Sequence, residues 1–172
     1  MDFSEQMRRT RLEFYEEDIA EIDAILSDFL DASGAKAVLM VDKEGHLVTK
    51  KGFTKSLDSD SLAALVAGAF ASTREMAKLL GEQEFTVLFH QGVNEHIHIS
   101  LVGERALIVI VFDERTTIGM VRLYASEVTK KVQEALDRAA ERAKERGPRA
   151  LGQEYEAAAD EKLADFFRED ES

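Results

Sequence analysis

Few residues in this chain are of a type and spacing that could do chemistry. His96 and His98 stand two apart in an alternating run, so both project from one face of a strand, and His90 precedes them. Two imidazoles so placed could begin a transition-metal site. Such a site also needs a third imidazole or a well-placed carboxylate, and no such ligand is identifiable around them, so they read as plain residues on the polar face of a strand. Gly45, Gly52, Gly68, Gly81, Gly92 and Gly103 are scattered singly, which leaves no phosphate-cradling loop. No serine or carboxylate pair sits in a nucleophile setting. The absence of cysteine removes disulfides, thiolate chemistry and cysteine-built zinc sites. The expectation is a protein with no active site, metal or cofactor, which works by binding. A metal or small-ligand site around His96 and His98 is kept as a separate reading.

The stretch Asp58 to Leu80 carries the strongest binding signal. At about 100° per residue, Leu62, Leu65, Val66, Ala69, Phe70, Met76, Ala77 and Leu80 form one apolar stripe, expected to pack on a core. The opposite face reads Ala64, Ala67, Gly68 and Ala71 before Glu75, and no charge lies between Asp60 and Arg74. A helix-interior glycine costs about 1 kcal/mol relative to alanine, so Gly68 suggests close approach of another backbone. Small side chains on a face without charge suit a partner rather than water.

Composition sets the class of partner. A chain of 172 residues, 45% hydrophobic and 33% charged, has room for one real core and an appendage. A net charge of -12 repels nucleic acid and anionic membrane, so neither is expected and a protein partner fits better. The N-terminal residues lack a signal-peptide apolar core and no segment could span a bilayer, so cytoplasm is the expected compartment.

The elements that would position this surface read in order. Residues 1 to 15 form an extension with the basic cluster Arg8, Arg9 and Arg11. From Glu16, Ile19, Ile22, Ile25, Leu26, Phe29 and Leu30 recur at helical spacing, with Gly34 as C-cap. Ala37 to Val41 and His46 to Thr49 flank a turn ending in Gly45 and read as a hairpin. Asp58 or Ser59 caps the second helix. Strands follow over about 85–91, 95–102 and 105–112, joined by tight turns. The last, Ala106 to Phe112, is apolar throughout, so it belongs mid-sheet with helices on both sides. A third helix carries Val128, Val132, Ala135, Leu136, Ala139 and Ala143, and Gly147-Pro148 ends it and the domain.

Residues 147 to 172 are a different kind of sequence. Beyond Arg149, eight carboxylates face Lys162 and Arg168, half of the chain's net charge. Tyr155, Ala159, Leu163, Phe166 and Phe167 nevertheless sit at helical spacing, so the segment reads as an acidic linker and an amphipathic helix. That helix either completes the domain's own core or inserts into a groove on another protein.

The chain resembles the roadblock/dynein light chain family, most closely its bacterial MglB branch. The likeness rests on Val41-Asp42-Lys43-Glu44-Gly45, Ser61-Leu62-Ala63 with Ala67-Gly68, Ala77-Lys78-Leu79-Leu80-Gly81-Glu82, Phe89-His90-Gln91-Gly92 and above all residues 112 to 123, FDERTTIGMVRL. The resemblance implies an α/β (α+β) three-layer fold over 16–146, a five-stranded antiparallel sheet with helix 2 on one face and helices 1 and 3 on the other. It implies a homodimer through Ala63, Phe85, Val87 and Phe89, and a small Ras-like GTPase docked on Ala64, Ala67, Gly68, Ala71 and Glu75, two chains to one GTPase. Relatives of this kind accelerate GTP hydrolysis in cell polarity and motility by shifting the GTPase's own catalytic residues, and a C-terminal helix influences nucleotide exchange. Arg74, Arg115 and Arg122 are the residues to nominate if an arginine were supplied instead. A non-catalytic scaffold for a GTPase or motor is the alternative. Placement at a cell pole would come through partners.

Overall fold

A computed structural model describes residues 16–146. The N-terminal extension, the boundary at Gly147-Pro148 and the acidic segment with Tyr155, Ala159, Leu163, Phe166 and Phe167 lie outside the described residues.

The chain forms α1 (Glu16–Ser33), β1 (Ala37–Asp42), β2 (Leu47–Gly52), α2 (Ser59–Leu79), β3 (Val87–Gln91), β4 (His96–Val102), β5 (Ala106–Phe112) and α3 (Ile118–Arg146). Every pairing is antiparallel and the strand order is β2-β1-β5-β4-β3. The wholly apolar β5 lies at the centre, as a strand covered on both faces must. Register separates two cores. Val38, Met40, Ile108 and Ile110 meet Ile22, Leu26 and Phe29 of α1 and Val121, Ala125, Val128 and Val132 of α3. Leu39, Val41, Ile99, Leu107 and Val109 meet Ala63, Val66, Ala67 and Phe70 of α2 on the other face. The expected α+β layering therefore stands, with α2 alone on one side.

Local chemistry fixes the helix ends. Asp58 accepts hydrogen bonds from the Ser61 backbone N–H at 3.1 Å and its hydroxyl at 2.6 Å, which stabilises its ionised form and holds its carboxyl below the usual range. Gly34, at φ +71, ends α1, its N–H donating to the Leu30 carbonyl at 3.2 Å. The hydroxyl of Thr116 then donates to the Ser33 carbonyl at 2.8 Å, joining the loop before α3 to the end of α1. The described residues fall into two compact units divided after Leu136, within α3.

The rotation of α2 differs from the sequence expectation. Its sheet-facing residues are Ser59, Ala63, Val66, Ala67 and Phe70, whereas Leu65 is 71% exposed and Met76, Ala69 and Leu80 are also exposed. Alanine and glycine contribute little to the apolar pattern, so they left the phase of the stripe weakly determined. What sets it is the turn between β1 and β2. A Cβ on Gly45, whose φ is +93, would meet the Ala64 Cα at 2.9 Å and the Ala67 Cβ at 3.4 Å. The turn backbone lies directly against the helix, and only small residues fit beneath it.

Candidate functional site

The surface of α2 away from the sheet is the first site. Leu65, Ala69, Ser72, Met76 and Leu79 follow one another at four, three, four and three residues, and all are exposed. That is the spacing of an apolar seam which a second helix fills. Beside it run Ala64, Gly68, Ala71 and Glu75, also exposed. A Cβ built on Gly68 meets nothing within 4 Å, so nothing inside the chain requires glycine there. Glu75 pairs with Lys78 at 2.7 Å, an exposed contact worth little to stability.

Two residues expected on this surface are elsewhere. Ala63, expected at a dimer interface, is fully buried against the sheet, and Ala67, expected on the docking face, is 7% exposed in the same core. Their small size serves the packing of the β1–β2 turn and the sheet. Phe85, expected on the strand edge, precedes β3 and packs inward, its ring 4.9 Å from that of Phe70. Val87 and Phe89 do lie on β3, one of the two edge strands of the sheet, which pairs only with β4 among the described residues.

The nominated arginines separate by environment. Arg115 straddles the Asp113 carboxylate, with Nε–Oδ1 and NH2–Oδ2 distances both 2.9 Å, and lies 5.9 Å over the Phe53 ring. The pairing lowers the carboxyl's affinity for protons and raises the guanidinium's. Arg122 is on α3, across the sheet from α2. Arg74 lies on α2, half-buried and in no ion pair among the described residues.

The histidines do not converge. Register places His96 and His98 on the α1/α3 face and His90 on the α2 face. The expectation of surface histidines fails for His98, which is 2% exposed, and its neighbour Ser100 is 5% exposed. Their Oγ–Nδ1 separation is 3.3 Å. Burial, with the Arg122 charge nearby, pushes the His98 imidazole down to about 4, so it is neutral near pH 7. Sequence alternation identified the face but not its cover, because α3 arrives from distant sequence. His96 packs beside Phe89 and Phe112, with ring centroids 6.2 and 5.1 Å away. Among the described residues no group of three histidines or carboxylates could hold a metal.

Comparison with known proteins agrees with this architecture. The family model described as the Roadblock/LC7 domain matches residues 21–112. Among solved structures, the chain is similar to MglB of Myxococcus xanthus, with 36% identity over 74% of this chain and 96% of that one and a TM-score of 0.69. It is similar to the gliding protein MglB of Thermus thermophilus at 33% identity, covering 74% and 97%, with a TM-score of 0.70. An MglB with a tetrameric arrangement shares 32% identity over 74% and 96%, with a TM-score of 0.71. No curated protein sequence matches. An antiparallel sheet in the order β2-β1-β5-β4-β3, with α2 alone on one face, thus coincides with a family match across its whole extent, and the chain belongs to the Roadblock/LC7 domain family.

Proposed function

We propose that this chain is a homodimeric, MglB-like regulator of a small Ras-like GTPase, without an active site of its own. The observation that carries this reading is the exposed apolar surface of α2, continuous from Leu65 to Leu79, in a fold shared with MglB proteins. Monomers seldom leave such a seam to water. Two copies would join through that seam and through the outer edge of β3 at Val87 and Phe89, and paired helices would present Ala64, Gly68, Ala71 and Glu75 to one GTPase.

The activity is stimulation of GTP hydrolysis by shifting the GTPase's own catalytic residues. Arg115 is already held by Asp113, and Arg122 lies on the opposite sheet face. Both observations support a mechanism without an arginine from these two positions, although an arginine in trans gives about 10³ to 10⁵ in rate where used. The C-terminal segment, with Tyr155, Ala159, Leu163, Phe166 and Phe167, would modulate nucleotide exchange, and a GTPase partner would bring the protein to a cell pole.

Timing phosphate release from the cognate GTPase loaded with GTP tests the reading. Wild-type protein should accelerate release. Ala71→Arg, a change at an exposed position, should abolish acceleration while the thermal midpoint stays unchanged. Binding of the GTPase without any acceleration would instead mark a scaffold.

A further inference from the structure

On the α1/α3 side of the sheet, between β3, β4 and α3, lies a groove of about 630 Å³. That is within the usual range of about 300–1,000 Å³ for small-molecule sites. The chain carries 34 Asp and Glu against 22 Lys and Arg, yet no carboxylate lines this groove, whereas Arg122 and Lys130 do. Neither cation has an ion-pair partner among the described residues. Eight residues apart on one helix, they are separated along the axis by about 12 Å. The cleft between α1 and α3 is different, for there Asp28 and Glu127 offset Lys131.

The lining is amphipathic. Phe89 and Val87 supply apolar surface, and His98 and Ser100 supply polar groups on β4. His98 uses Nδ1 towards Ser100, while no described residue hydrogen-bonds its Nε2. With no partner and yet not sealed from solvent, Nε2 opens on the groove, where a bound molecule would complete its hydrogen bonding.

We propose that this groove binds a small organic anion, its apolar body against Phe89 and Val87, its charged group at Arg122 or Lys130, and a polar atom on His98 Nε2. The recognised chemistry is a phosphate or carboxylate joined to a flat or aliphatic body. An anion beside His98 stabilises the imidazolium, so binding and protonation of this ring reinforce one another. The charged side chains that line the groove beside His98 are Arg122 and Lys130. The site is on the opposite sheet face from α2, so it does not rest on GTPase docking there, while it shares Val87 and Phe89 with the β3 edge of the proposed dimer.

Titration of the full-length protein with 1-naphthyl phosphate, followed by NMR of the backbone amides and the His98 ring, tests the proposal. Saturable shifts should centre on β3, β4 and the first half of α3, with the His98 pKa rising on binding. Arg122→Ala combined with Lys130→Ala should weaken binding at least about tenfold, as loss of charge-assisted hydrogen bonds does. Lys131→Ala, on the α1 side, should leave it within about twofold. Uncharged 1-naphthol should bind at least about tenfold more weakly than the phosphate. Absence of saturable binding, shifts confined to α2, or affinity indifferent to the double substitution would each overturn it.

Discussion

At the scale of single residues, the clearest consequences come from His98 and from two glycines. The His98 imidazole is held near 4 in the folded chain against 6.5 in its ordinary state, because burial and the Arg122 charge disfavour the cation. Between those values the unfolded chain binds the extra proton, so stability rises with pH. This contribution is fully present above about pH 6.5 and is lost as the pH falls towards about 4, a change of up to about 3 kcal/mol. Urea midpoints from pH 7.5 to 4.0 should show that fall, and His98→Gln should flatten it. An unchanged slope in the variant would assign the acid sensitivity to other groups. Gly45 and Gly68 are opposites. Gly45→Ala forces a side chain into φ +93 and against the Ala64 Cα, and should cost about 1–3 kcal/mol. Gly68→Ala meets open space in a helix and should add about 0.5–1 kcal/mol while reducing GTPase stimulation. Chemical denaturation beside phosphate-release rates separates the two effects.

At the scale of elements, legibility in the sequence follows how much of the pattern is written in large side chains. The strands were readable because Ala37 to Val41 and Ala106 to Phe112 are continuous apolar runs, and the cap at Asp58 because its chemistry is local. The phase of α2 was not readable, since alanines at 63, 64, 67, 69 and 71 fit either face. The apposition of Gly45 and Ala64, which decides it, joins residues in different elements. Likewise the alternation of His96, His98 and Ser100 gave their common face, but only α3 and β3 folding back made that face a groove. Leu65 and Met76 moved from expected core to exposed seam by the same rotation. Leu65→Glu with Met76→Glu should therefore leave helical circular dichroism and the thermal midpoint almost unchanged, because neither side chain is in the core. The same pair should produce a single-chain species in sedimentation equilibrium. A loss of several kcal/mol in stability would return these residues to the core.

At the scale of the whole molecule, the apolar seam and the net charge of -12 oppose one another. Two chains of like sign repel over distances comparable to the Debye length, about 30 Å at 0.01 M salt and about 8 Å at 0.15 M. Burial of Leu65, Met76 and Leu79 is instead insensitive to screening, because it arises from apolar surface leaving water. Association through the α2 seam and the β3 edge should consequently tighten as salt rises, whereas an interface built from ion pairs should weaken. Sedimentation equilibrium between about 20 and 200 mM sodium chloride reads this directly, against a single-chain mass of 19.2 kDa. The expected result is a dimer whose dissociation constant falls several-fold across that range. A rising constant would place the contact on charged surface and leave the seam for another partner. On the proposed reading, in which paired α2 helices form the GTPase platform, hydrolysis stimulated at low protein concentration should increase with salt over the same interval, until screening also weakens the docking of the GTPase itself.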